Sequence, residues 1–376
     1  MKKYLRFHIK DSLPQIILFI VITLISCFSL SIDGYIHHNH YYNYDSPSNN
    51  PLTMIAVIGI VLSIGVPIIE FSYRMRKITI DQMYSFPIKR EKIFLAHYIT
   101  GYIKILIPVT VAVIYFLIDL SVKEHLFDVF YIIPFYFSLL GTLLIGYSFV
   151  TFIFMRGNTV GDGLINMLFG IFFIPAIIAL ITFHQPYSYP TNAMNSLNID
   201  FGDGFIFKPV IDIIEYFQGE MEWYALSQIK QANEYLELPH FSANSFGWLI
   251  FHAIFGIASF VLSIILVKKD KSENSMGISN SWFSYKIMIP VYLFVISYTA
   301  INAEFIAWLF ILIGGFLMYV IYRRTLKIKI IDVIIIVSCV LGGLVISSII
   351  ESLIPQRDPM YPAINTVFIQ LLRWWI

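Results

Sequence analysis

The chain has 376 residues, of which 58% are hydrophobic and 13% charged, with a formal net charge of +1 and a mean hydropathy of +0.74. Soluble domains carry roughly 25% charged residues, so a soluble globular protein is excluded. Continuous rather than alternating apolar runs exclude a membrane β-barrel, and so small a net charge gives no sign of nucleic acid as a partner.

The elements follow in chain order. Over residues 1–13, Leu5, Ile9 and Leu13 recur every four positions while Lys3, Arg6 and Lys10 fall on another face. That pattern predicts an interfacial helix lying on one leaflet. Nine apolar runs follow, at about 14–32, 52–72, 95–120, 129–154, 164–183, 246–267, 287–301, 305–322 and 331–350. Runs of about 20 apolar residues span a hydrocarbon core of about 30 Å, so an all-α polytopic membrane protein is expected. The seventh run is short enough to form half of a re-entrant hairpin with the eighth.

Both cysteines, Cys27 and Cys339, lie inside apolar runs, with neither a disulfide framework nor a zinc spacing around them. Leu24–Cys27 reads LISC, like a lipoprotein cleavage box. The apolar run continues past the cysteine and exceeds a signal core of 7–15 residues, so an ordinary thiol is expected.

Placing the N-terminus inside puts most of the 25 Lys and Arg on one side, in segments around 2–10, 74–92, 156, 268–286 and 323–329. The positive-inside rule makes that side cytoplasmic. Nine crossings then leave the C-terminus outside, in the cell membrane.

The segment RMRKITIDQMYSFPIKREKIF (74–94) is a basic island between two apolar runs. Residues 78–86 can form about two helical turns that Pro87 stops, with Asp81 near the positive start of the helix. Met83, Tyr84 and Phe86 would give an exposed segment an apolar, aromatic surface, the mark of a docking patch.

On the outer side, His37, His38 and His40 are close enough to share a metal ion. Apart from Asp45 no further ligand type is near, so a polar loop is expected and no metal site. The segment 184–245 is acidic. Within it PVIDIIEYFQG predicts a helix ended by Gly219 and EWYALSQIKQANEYLEL a second one, together an external helical cap.

Glu70, Lys104, Asp119 and Asp332 lie toward span ends, where they can snorkel, which leaves His252 as the main inner polar residue, alongside Lys104 if the third span starts early. A carrier driven by ions keeps titratable groups at mid-depth, so their scarcity argues against one, and against a membrane hydrolase. No G-x-x-x-x-G-K-[ST] occurs, so the chain has no P-loop for ATP. The 33 Phe and 24 Tyr offer rings to line an amphiphile path, with Phe169, Phe172 and Phe173 of the fifth run the first candidates.

The stretch RKITIDQMYSFPIKREKIFLAHYITGYIKILIP resembles the loop between spans two and three of ABC-2-type permeases of Gram-positive bacteria, from acetoin-operon-like or modulin-exporter-like systems. Arg76, Lys77, Asp81, Tyr84, Ser85, Phe86, Pro87, Lys89, Arg90 and Gly101 fit that pattern. MRGNTVGDGLIN (155–166) and ENSMGISNSWFSYK (273–286) are similar too, and the likeness covers roughly residues 1–290. It implies a six-helix transmembrane core over 14–267, with an external helical cap at 183–245. About three additional C-terminal transmembrane helices and an outer tail would occupy 268–376. It implies that Ile80, Asp81, Gln82, Met83, Tyr84, Ser85, Phe86 and Pro87 couple to an ATPase, flanked by Arg74, Arg76, Lys77, Lys89 and Arg90. Cytosolic ABC ATPase subunits, a second permease subunit and membrane lipid would be the partners. ATP and Mg would sit on the ATPase, with no cofactor in this non-catalytic chain. The implied function is the permease subunit of an exporter for an amphipathic or apolar cargo (a peptide, an antibiotic or a lipid-like molecule). The residues leave two alternatives open: a membrane-embedded sensor or enzyme using the acidic outer segment, and an ion-coupled carrier without an ATPase partner.

Overall fold

A computed structural model describes residues 2–31, 36–39, 44–47, 50–122, 129–182, 205–227, 243–269, 275–277, 281, 284–300 and 305–353. Among them the chain is helical except for a short antiparallel hairpin, β1 (Ile36–Asn39) with β2 (Tyr44–Pro47), in which His38 stands opposite Asp45. His40 lies outside the described residues.

Helix α1 (Lys2–Asp11) turns by 48° at Ser12 into α2 (Leu13–Ser31). Then come α3 (Asn50–Phe71), a 3-10 turn (Ser72–Met75), α4 (Lys77–Ser85), α5 (Arg90–Val122) and α6 (Val129–Phe154). They are followed by α7 (Val160–Ile171), α8 (Phe173–Thr182), α9 (Lys208–Ser227) and α10 (Ala243–Lys269). The described chain ends with α11 (Tyr285–Thr299), α12 (Phe305–Arg323) and α13 (Ile330–Leu353). Helices α3, α5, α6, α10 and α13 are long and apolar enough to cross a bilayer, and α1 with α2 makes a sixth if that bent pair is one span. The protein is a polytopic α-helical membrane protein. Hydrocarbon offers no partners for polar groups, and several buried hydroxyls are satisfied locally. Thr142, Ser148 and Ser259 each return their O–H to the carbonyl four residues earlier.

Two cores result. The larger joins α2, α3, α5, α6, α9 and α10 around fully buried Phe71, Phe94, Leu139, Tyr147 and Phe154. The smaller joins α11, α12 and α13 around Tyr285, Leu293, Tyr319 and Ile336. Helix α11 also packs against α7 and α8, which is how the last three helices meet the rest.

The fifth apolar run is not one helix. It breaks at Phe172, between α7 and α8. Pro175 explains the break: it has no N–H for the carbonyl of Ile171, and its ring clashes with that carbonyl in a continuous helix. At the break the Tyr292 hydroxyl on α11 donates to the Phe169 carbonyl.

Gly219 does not stop a helix. Helix α9 runs through it to Ser227, because one glycine costs only about 1 kcal/mol and Val210, Ile213, Ile214 and Phe217 bury a continuous face on the bundle. That face packs beside α6 rather than only over its end. The Phe217 ring stacks on Phe135 at 4.3 Å, and Phe207 fills the space beside Gly146, far along α6. The second helix expected in this segment lies largely outside the described residues.

The Lys- and Arg-rich turns gather at one end of the bundle, the basic end. Arg74 Nη1 donates to the Met155 carbonyl at 3.4 Å, and Met276 N–H to the Asn158 carbonyl at 2.9 Å. Lys268 lies 3.6 Å from Glu91.

Candidate functional site

Helix α4 occupies the basic end between α3 and α5. Lys77 begins it and Ser85 ends it, with Phe86 already extended (φ −66°, ψ 141°), as a residue before proline must be. Asp81 is therefore mid-helix rather than near its start, and is exposed. The helix is seated, not loose. Ile80 is buried, and the Thr79 hydroxyl lies 2.7 Å from the Tyr73 carbonyl and 3.0 Å from that of Arg76. Its exposed apolar groups are Ile78, at 76%, and Phe86, at 46%. Met83 and Tyr84 are half-buried instead: Met83 Sδ takes the Tyr4 hydroxyl at 3.5 Å, and the Arg90 guanidinium lies 4.4 Å from the centre of the Tyr84 ring. Gln82, Ser85 and Pro87 are exposed, as are Arg76, Lys77 and Lys89 of the basic flank.

Behind α4 lies a cluster of charged and polar groups assembled from four helices. The Glu70 carboxylate, at the end of α3, is 3% exposed. One of its oxygens pairs with the Lys104 ammonium of α5. The other lies 2.9 Å from His8 Nε2 of α1 and 3.0 Å from His97 Nδ1 of α5. Lys104 also donates to Gln15 of α2. Tyr4 completes the group: its hydroxyl is 3.1 Å from His97 Nε2 as well as contacting Met83. Tyr4 thus bridges α4 to the cluster. Burial, with the Glu70 carboxylate nearby, raises the Tyr4 pKa, so the hydroxyl keeps its proton and can donate.

Glu70 does not snorkel as expected, and α5 starts at Arg90, early enough to place Lys104 inside as the alternative reading had it. Both are buried and neutralise one another, because α3 and α5 approach closely at Gly101. A methyl group on Gly101 would fall on the Tyr147 hydroxyl and within 3.1 Å of Glu70 Cγ. Asp332 is buried too, and pairs with Arg323 through two bonds of 2.7 Å. His252 is buried with its Nδ1 2.7 Å from the Trp248 carbonyl.

A second junction fastens the last three helices to the core at the same end. Thr159 caps α7 by accepting the Asp162 N–H at 3.2 Å. The Asp162 carboxylate receives Arg324 Nη2 at 2.7 Å and the Tyr285 hydroxyl at 3.1 Å. Arg324, in the left-handed region at φ 53°, also reaches the Met276 carbonyl at 2.9 Å and the Thr159 hydroxyl at 3.2 Å. The turn before α7 needs glycine, since a Cβ on Gly157 would strike the backbone at Gly163.

Of the three candidate path residues, Phe169 is half-buried with its ring 5.0 Å from Tyr292, Phe172 sits exposed at the helix break 6.0 Å from Phe205, and Phe173 is half-buried at the start of α8.

His8, Glu70 and His97 are the one group among the described residues whose ligand atoms converge enough to hold a metal ion. The Lys104 ammonium already balances the carboxylate, so a divalent ion would add net positive charge to a buried site. The cluster is chemically complete as a hydrogen-bonded ion pair. It can transmit displacement between α1, α3, α4 and α5, or relay a proton.

Comparison of the chain with models of protein families, with curated proteins and with solved structures gives no match.

Proposed function

We propose that this chain is the membrane subunit of an ATP-binding cassette exporter, with the basic end in the cytosol and a separate ATPase docked on α4. One observation carries it. Helix α4 is a short helix held between two bilayer-crossing helices, with one side seated through Ile80 and the other presenting Ile78 and Phe86 among Arg76, Lys77 and Lys89. Exposed apolar groups ringed by charge suit a protein partner. Sequence resemblance in the same segment and the absence of a P-loop point the same way. ATP-driven closure of the ATPases would push α4, and Tyr4 would carry the displacement to His97 and Glu70, hence to α1, α3 and α5. Packed helices convert such pushes into discrete rearrangements. Two such subunits, identical or paralogous, would form the path for an amphipathic or apolar cargo.

The buried Glu70 cluster favours one alternative, an ion-coupled carrier, since titratable groups inside a bundle are what such a cycle uses. Co-expression with the ATPase encoded nearest in the genome separates the two. The exporter requires that ATPase to co-purify and its hydrolysis to respond to the membrane subunit. A carrier moves cargo in proteoliposomes under a pH gradient with no ATPase present.

A further inference from the structure

We infer that the seam between α11 and α12 is a binding site for an anionic phospholipid of the leaflet at the basic end. Two cavities, of about 150 and 230 Å3, lie along this seam and share Met318 in their linings. The first is bounded by Tyr285, Met288 and Met318, with Phe169 of α7 as its far wall. The second continues between Ile296 and Phe310, where Gly314 leaves the seam open. A Cβ on Gly314 would meet nothing within 4 Å.

Length identifies the apolar part of the ligand. From Tyr285 to Ile296 the groove follows α11 for eleven steps of about 1.5 Å, roughly 16 Å. That is about half of a 30 Å hydrocarbon core, the depth reached by one acyl chain in one leaflet. Aromatic, thioether and aliphatic side chains line it, as an acyl chain requires.

Charge identifies the head. At the Tyr285 end of the groove, Tyr285 bonds Asp162, which pairs with Arg324, and Arg323 pairs with Asp332; Lys286 follows Tyr285 in sequence, and Lys327 and Lys329 stand in the turn that follows Arg324. Five cations face two anions. Lys286, Lys327 and Lys329 are exposed, their ammonium groups free of the two carboxylates that Arg323 and Arg324 hold, and so are the cations open to a lipid phosphate. A zwitterionic lipid fits the groove equally well but gains far less from that rim. The lipid would also bridge α7 to α11 and α12, beside the Asp162–Arg324 junction.

The test uses the full-length protein, reconstituted in nanodiscs holding equal phosphatidylglycerol and phosphatidylcholine and released for native mass spectrometry. The expected result is one retained phosphatidylglycerol per chain. Gly314→Leu, which fills the groove, should lower that retention by about tenfold or more. Gly247→Leu, another open glycine, should leave it unchanged. Replacing Lys286, Lys327 and Lys329 by Gln should lower the preference for phosphatidylglycerol by about fivefold per lysine. Equal retention of the two lipids by the unaltered protein overturns the site, as does retention in Gly314→Leu equal to that of the unaltered protein. Should Gly314→Leu fail to fold, the lysine variant decides: an unchanged ratio of the two lipids rejects the assignment.

Discussion

Glu70 on α3 and Lys104 on α5 form an ion pair with almost no exposure to solvent, 3% and 2%. Removing one member of such a pair strands the other charge, at a cost of about 3–5 kcal/mol. Lys104→Met should therefore lower the melting temperature of the detergent-purified protein sharply. Glu70→Gln combined with Lys104→Met should recover part of that loss, because no uncompensated charge remains. A double variant no more stable than Lys104→Met alone would show that the pair is not what holds the site.

Close approach at Gly101 predicts a second asymmetry. Gly101→Ala should destabilise by about 1–3 kcal/mol, the usual cost of overpacking, because the new methyl falls on the Tyr147 hydroxyl. Adding Tyr147→Phe removes the obstructing oxygen and should restore much of the stability. That substitution also loses the bond of 3.2 Å from the Tyr147 hydroxyl to the Tyr98 carbonyl, so recovery will be incomplete. Thermal unfolding of the unaltered protein and the two variants reads the order directly.

The docking role of α4 is tested by charge on its outward side. Ile78→Asp with Phe86→Asp should leave the melting temperature nearly unchanged, since surface substitutions usually fall within about 0.5 kcal/mol. Retention of the partner ATPase on affinity resin should drop about tenfold or more, as expected for apolar anchors of an interface. Ile80→Asp is the contrasting case: Ile80 is buried, so that variant should lose stability as well.

At the second junction the two partners should differ. Arg324 is 39% exposed at the side chain while Asp162 is 9% exposed, and exposed pairs contribute only about 0–1 kcal/mol. Arg324→Gln should barely shift the melting temperature. It should, however, speed hydrogen exchange at the Met276 amide, whose bond to the Asn158 carbonyl the arginine supports from the other side. Asp162→Asn should cost more, since it weakens the bonds from both Arg324 and Tyr285 at a buried site.

The polytopic character was legible because long apolar runs report burial in lipid, although of the nine crossings expected only five of the described helices, or six with the bent α1–α2 pair, are long and apolar enough; the helix at Lys77–Ser85 was legible from its proline. The break at Phe172 was not, although Pro175 was visible, because a proline inside an apolar run kinks one helix and ends another depending on its neighbours. Likewise α3, α5, α6 and α11 keep helix through Pro67, Pro108, Pro134 and Pro290. The Glu70 cluster was hidden by distance in sequence, with its members on four helices and each seeming to stand alone near a span end. A partial signal existed. His97, Gly101 and Lys104 fall at i, i+4 and i+7, one face of α5, and Tyr4 and His8 at i and i+4, one face of α1. A polar stripe with a glycine at its centre, inside an apolar helix, marks where another charged helix comes close.

Tyr292 supplies the donor for the Phe169 carbonyl from a position 123 residues further along the chain. At synthesis rates of about 5–20 residues per second, roughly 6–25 s pass between the ribosome's delivery of the acceptor and of its donor. During that interval the bond that ties α7 to α11 cannot form. The contact between α7 and α11 is thereby a late event of synthesis, and the last three helices are built onto α7 only after the larger core has left the ribosome.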